Sequence, residues 1–194
     1  MNVDPSFANV MYTVLPVTLA NVLHMFVVKK KLLSSLNAPI DRGISWRQER
    51  IFGNHKTWRG LVVIVLGTCL FTLAHAILEH FAPQLTAYNL IDYSQTSWWQ
   101  VGLWWGGGYA LAELPNSFVK RRMSVAAGQG RSGLLGAVLV FVDQADSAVG
   151  VALASLFGLG LNSASSLWMA AYCTILHLAV NFTLGFSNVR TRSI

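Results

Sequence analysis

Charge is what this sequence has least of. Only 11 % of its 194 residues are Asp, Glu, Lys or Arg, and 54 % are hydrophobic, whereas soluble domains carry about 25 % charged residues. That shortage excludes an ordinary solvated surface and points to a membrane protein. Cysteine is scarce too: Cys69 and Cys173 both fall inside apolar runs, with no second thiol at metal-ligand spacing, so neither a disulfide framework nor a zinc site is indicated. No solenoid-length repeat and no low-complexity linker divides the chain, and a single membrane domain over 1–194 is expected. Met1–Asn9 has no lysine or arginine, and Lys29–Lys31 follows the first apolar run instead of preceding it, which argues against a cleavable signal peptide.

What is abundant is apolar sequence of membrane length. Val10–Val28, Leu61–Leu78 and Leu167–Phe186 are free of charge, each close to the roughly 20 residues that cross about 30 Å of hydrocarbon. Trp98–Leu114 is shorter and rich in glycine, and Leu134–Gly160 is long but interrupted by Asp143 and Asp146. The expectation is an all-α integral membrane protein with five transmembrane helices. Pro115 is expected to end the third helix, since proline breaks a helix interior. The Leu134–Gly160 run is expected to divide into a re-entrant or interfacial piece up to Val142 and a crossing from about Asp143.

The fourteen basic residues test this topology. Eight lie between Lys29 and Arg59, four between Lys120 and Arg131, and two at Arg190 and Arg192; Glu79–Ser97 and Leu161–Ser166 have none. With the amino terminus outside and the carboxyl terminus cytoplasmic, every cation falls on the inner face, as the positive-inside rule requires. The chain is therefore expected in the cell's inner membrane as a multi-pass protein. The net charge of +6 then needs no nucleic acid and suits anionic membrane lipids. Trp98, Trp99, Trp104 and Trp105 are expected as interfacial anchors, and Gly102, Gly106, Gly107 and Gly108 as sites of close helix packing or of unwinding at a cavity.

Three polar clusters interrupt the apolar pattern. Asp143 and Asp146 are one helical turn apart, so they share a face, and two carboxylates that close call for a cation between them or for arginines from a neighbouring loop. "ELPNSFVKRR", Glu113–Arg122, puts three cations after Glu113; the arginines can fork onto phosphate oxygens, and Lys120 can act as a point charge. "GNHKTWRG", Gly53–Gly60, looks at first like a nucleotide loop, but Lys56 follows His55 where a glycine is needed, which rejects the soluble NTPase motif. What survives is glycine-rich backbone with Arg47, Arg50, Lys56 and Arg59 around it, suited to an anion. Together, acids for a hard cation such as Mg²⁺ and cations for a polyphosphate fit phosphoryl or nucleotidyl transfer, and a membrane location implies a lipid substrate.

At these residues the sequence resembles the CDP-archaeol synthase family, membrane cytidylyltransferases related to the phosphatidate cytidylyltransferases. "NAPID" and "RIFGNHKTWRG", "AELPNSFVKRR" and "DQADS" follow in order. The resemblance implies cytidylyl transfer from CTP to a lipid phosphate, giving a CDP-lipid and pyrophosphate in phospholipid biosynthesis. It implies that Asp143 and Asp146 hold Mg²⁺, with Glu113 a further candidate ligand, and that Lys120 and Arg121 neutralise phosphates. Lys56, Thr57 and Arg59 would bind nucleotide or lipid phosphate, Asp41, Arg50, Gly53 and Asn54 would shape or line that loop, and Asn116, Ser117 and Arg122 would complete the substrate contacts. The segment after "VKRR", "MSVAAGQGRSG", departs from the lysine- and proline-bearing loop of the family and leaves the acceptor open between ether-linked and ester-linked lipid phosphates. A homodimer is also left open. Rival readings are a CDP-alcohol phosphotransferase, whose longer aspartate motif is missing, and a small transporter. His24, His75 and His177, with Asn21 and Asn181, lie inside spans, where polar side chains bridge helices or line a headgroup cavity.

Overall fold

The computed structural model describes residues 5–125 and 133–186, the last of these, 180–186, as backbone only. The altered segment around Arg131, Arg190 and Arg192, the extreme termini and the Asn181 side chain lie outside what is described. The chain is mostly helical: α1 (Phe7–Thr13), α2 (Leu15–Lys29), α3 (Trp58–Phe81), α4 (Trp98–Arg122), α5 (Gly133–Leu153) and α6 (Ser163–Phe186). Between α2 and α3 stands a small hairpin of β1 (Ser45–Trp46) and β2 (Glu49–Arg50), with Ser45 opposite Arg50 and Trp46 opposite Glu49. Among the described residues, α3 and α5 with its continuation to Gly158 are long and apolar enough to cross a membrane, and the α1–α2 pair makes a third candidate.

Three expectations about helix ends are corrected. The first apolar run is not one helix: α1 and α2 meet at Val14 with a bend of 52°, and Pro16 sits in the first turn of α2, where its missing N–H costs nothing. Pro115 does not stop α4, which continues to Arg122. A proline interior to a helix forfeits one backbone bond, a loss that packed membrane helices tolerate, and the stop comes instead at Ser124, whose φ is +54°. Nor does the fourth run divide at Val142. It forms one continuous α5 through Asp143 and Asp146, ending in a single π-helical turn over Ala154–Gly158. Continuity is affordable because α4 presents hydrogen-bond donors to both carboxylates, described below.

Glycines set the helix spacing. A Cβ on Gly102 would stand 2.6 Å from the Cys69 Cα, and one on Gly106 2.7 Å from the Val65 Cα, so α4 lies against α3 with backbones nearly in contact. Gly108 and Gly150 do the same for α4 and α5: a Cβ on Gly150 would fall 2.1 Å from the Gly108 carbonyl oxygen. Gly107 faces open space and takes no part. Trp105 is a further correction, since it is fully buried and its indole N–H donates to Ser155 Oγ at 2.8 Å; Trp99 and Trp104 are the exposed members of that cluster. Val10, Val14, Val101, Val151 and Met169 surround Trp105 in the core. Away from the basic end, His75 Nδ1 lies 3.1 Å from the Tyr93 hydroxyl and Asn89 donates to Glu79 at 2.7 Å, so His75 joins α3 to the following connector as a polar bridge.

Candidate functional site

Four side chains of α4 lie on one face at helical spacings of four, three and four: Tyr109, Glu113, Asn116 and Lys120. Opposite them, Asp143, Asp146 and Gly150 form a face of α5 with the same periodicity. The Gly108–Gly150 contact brings the two faces within reach. Asn116 Nδ2 donates to Asp143 Oδ1 and to Asp146 Oδ2, each at 2.7 Å, and Lys120 forms an ion pair with Asp143. Two carboxylate oxygens thus converge on one nitrogen. Hard-oxygen donors gathered at one point fit a cation such as Mg²⁺, which needs only one or two carboxylates when phosphate and water supply the rest.

Glu113 stands apart from this pair, ion-paired instead with Lys56 from the loop before α3, and among the described residues no group of three or more acids, histidines or cysteines gathers around one point. Lys56, Glu113, Asn116, Ser117, Lys120, Arg121, Asp143 and Asp146 line one cavity of about 300 Å³, with Phe52 and His55. Arg121 is the strongest indication of its ligand. The residue is only 9 % exposed, its Nε has no partner, and its side chain makes no hydrogen bond to any described residue. Glu49 is close enough to act on it electrostatically, but the guanidinium's hydrogen-bond donors are left for an anion to complete.

The loop before α3 is built around Asp41. Its carboxylate accepts from the backbone N–H of Gly43 (3.1 Å), Phe52 (3.0 Å) and Gly53 (3.1 Å) and from Arg50 Nε (3.3 Å), and Arg50 in turn donates to Asn54 Oδ1 at 2.7 Å. Gly53 reaches its place at φ +88°, in the left-handed region that glycine enters freely. Burial alone would raise the Asp41 pKa; the Arg50 contact and the three amides outweigh it and hold the group at about 2. Thr57 caps α3, its hydroxyl accepting from Gly60 N–H at 3.3 Å. Arg59 is buried and turned toward the Leu32 carbonyl (3.3 Å), away from the lining of the basic cavity.

Arg122 also has a different place from the one its motif suggests. Its guanidinium donates to the carbonyls of Trp46, Glu49 (2.9 Å) and Arg50 (2.6 Å) and lies over the rings of Trp46 and Phe118. It fastens the β1–β2 hairpin to α4 and so positions Arg50. The sequence reading had not singled out Tyr109 or His55 for the site. Tyr109, 7 % exposed, lines two cavities beside the basic one; its spacing of four from Glu113 was the available signal. A larger cavity of about 630 Å³ lies elsewhere, between the start of α1, the Pro83–Thr96 connector and the α5–α6 turn, with no cation among the described residues of its lining.

Apolar helices around a cavity lined by both acids and cations define a helical membrane protein with a charged pocket between its helices. The family model for CarS-like CDP-archaeol synthases matches residues 6–190. The chain belongs to that family, as its motifs suggested. It is 29 % identical over 167 residues to the CDP-archaeol synthase of Halorubrum lacusprofundi, covering 81 % of this chain and 86 % of that one. To the CDP-archaeol synthase of Thermococcus onnurineus it is 32 % identical over 98 residues, 50 % of this chain, and there it spans about half the relative's length, 52 %. A solved structure of an intramembrane enzyme for archaeal membrane lipids biosynthesis shares the fold, with a TM-score of 0.60 and 22 % identity over 89 % of this chain and 92 % of that one.

Proposed function

We propose that this protein transfers the cytidylyl group of CTP to a membrane lipid phosphate, releasing a CDP-lipid and pyrophosphate. The observation that carries the reading is the meeting of Lys56, Lys120, Arg121, Asn116, Asp143 and Asp146 at one cavity in a member of this family. A phosphate oxygen of the lipid attacks the α-phosphorus of CTP, a new P–O bond forms, and the bond from the α-phosphorus to its bridging oxygen breaks as pyrophosphate leaves. The chain's part is positioning and charge neutralisation, which supply most of the rate in such transfers.

Asp143 and Asp146 would hold Mg²⁺, which when bound supplies positive charge at the phosphates. Arg121 neutralises the triphosphate through its unpaired guanidinium face. Lys56 and Lys120 exchange their carboxylate partners for phosphate oxygens, and Asn116 keeps the two aspartates aligned. Asp41, Arg50, Gly53, Asn54 and Thr57 shape the nucleotide-facing loop, and Ser117 lines its edge; Arg59 and Arg122 support that loop from behind. No protein nucleophile is required.

In this reading α4 and α6 cross the membrane with the other three candidates, giving five crossings, and the basic end faces the cytoplasm. Purified protein with Mg²⁺ and CTP is expected to release pyrophosphate only when a lipid phosphate is supplied, assayed across ether-linked and ester-linked acceptors. Folded protein that releases none with any of them would refute the reading.

A further inference from the structure

A second cavity, of about 280 Å³, opens between α2, α5 and α6 and shares Asp143 with the basic one. Its chemistry is different. Among the described residues its lining has no lysine or arginine, but it collects Thr18, Asn21, Gln144, Ser147 and His177 within otherwise apolar helices. Asn21 makes no side-chain hydrogen bond to any described residue, and an amide left without a partner at membrane depth costs several kcal/mol. Its outer rim is Val22 and Met25, 55 % and 41 % exposed on the outside of α2, where the bundle meets hydrocarbon. The cavity therefore runs from a lipid-facing apolar rim, through neutral hydrogen-bonding groups, to the carboxylate that borders the phosphate site.

We infer that this cavity seats the glycerol portion of the acceptor lipid. Its phosphate lies at the Asp143 end, and its chains leave over Val22 and Met25 into the bilayer. The assignment rests on the cytidylyl-transfer reading and adds the acceptor's position and direction of entry. The neutral character of the described lining decides which part of the lipid goes where. A phosphate dianion needs Lys120 and Asn116, which reach the boundary at Asp143, whereas an uncharged ether or ester oxygen needs a single neutral donor such as the Asn21 amide, since the Thr18 hydroxyl already donates to the Val14 carbonyl. The other neighbouring cavity, beside His24, Lys56 and Tyr109, holds only about 100 Å³. That is room for a few waters at about 30 Å³ each, too little for a glycerol with two substituents.

The test uses the whole protein in vesicles of neutral phospholipid, with a dialkylglycerol phosphate carrying a diazirine near the glycerol end of one chain. Illumination is expected to label α2 between Thr18 and Met25, together with Leu176 on α6, and unmodified dialkylglycerol phosphate is expected to suppress the label. Label confined to Leu61, Ile64 and Ala110, beside the smaller cavity, would overturn the assignment. In parallel, Asn21→Leu is expected to raise the KM for the lipid about tenfold while the KM for CTP stays within about twofold. Folded Asn21→Leu with an unchanged lipid KM would also overturn it. Suppressible labelling of α2 and α6 in protein that releases no pyrophosphate supports the seat and overturns the reaction, so the two failures are distinct.

Discussion

At the scale of single residues, the acids of α5 and the cations of α4 and the α2–α3 loop are individually ordinary, and their arrangement is informative. Asp143 and Asp146 share one amide donor. Asp143→Asn and Asp146→Asn are each expected to lower pyrophosphate release by at least about 100-fold, a magnitude typical of losing one charged or oxyanion-site contact. Their melting temperatures should change little, because each substitution also relieves repulsion between the carboxylates; turnover near wild type in either variant would discard the metal assignment. Asp41 makes a different prediction. Its pKa is held at about 2, below the ordinary 3.8, so it contributes stability fully above about 3.8 and loses that contribution as pH falls toward 2. Thermal unfolding followed from pH 5 to pH 2 should show a decline that Asp41→Asn largely removes. A wild-type decline retained by Asp41→Asn would assign the acid sensitivity to other groups.

At the scale of elements, backbone contact between α4 and α5 places the site. Gly150→Val should push the two helices apart, since the first added carbon already meets the Gly108 carbonyl. A loss of about 1–3 kcal/mol in stability is expected from such overpacking, together with loss of pyrophosphate release, whereas Gly107→Ala, facing open space, should leave both nearly unchanged. Parallel melting and activity measurements decide it, and an active Gly150→Val would show that the spacing is not needed. Element boundaries were also where the sequence misled. Proline at 115 and the two aspartates look like breaks when each helix is read alone, and they become tolerable only when the neighbouring helix is in place. The β1–β2 hairpin was illegible for a similar reason. Its turn residues Arg47 and Gln48 both have positive φ, a geometry usually signalled by Asn-Gly, and here the hairpin's carbonyls are tied down by Arg122 from far along the chain. The acid pair was legible because a spacing of three puts Asp143 and Asp146 on one helical face; the main-chain contacts of Arg59 and Arg122 were not, because a guanidinium looks the same in sequence whether it meets a ligand or a main-chain carbonyl.

At the scale of the whole molecule, a one-sided distribution of lysine and arginine argues for a fixed orientation in the membrane. A tag at the amino terminus is expected to react with a membrane-impermeant reagent from outside, and one at the carboxyl terminus only after permeabilisation; both ends reacting on one side would mean an even number of crossings. The Lys56–Glu113 and Lys120–Asp143 pairs bear on the proposed reaction as a whole. Each lysine already has an anionic partner, so in the proposed reaction nucleotide phosphates would displace a carboxylate from each lysine, and the displaced Asp143 would be free to meet the cation. In the proposed reaction the two carboxylates would stand ready beside the ammonium groups as pyrophosphate leaves, so that no bare cluster of cations remains. The consequence expected of that proposal is weak inhibition by pyrophosphate, the opposite of what an unpartnered basic pocket invites.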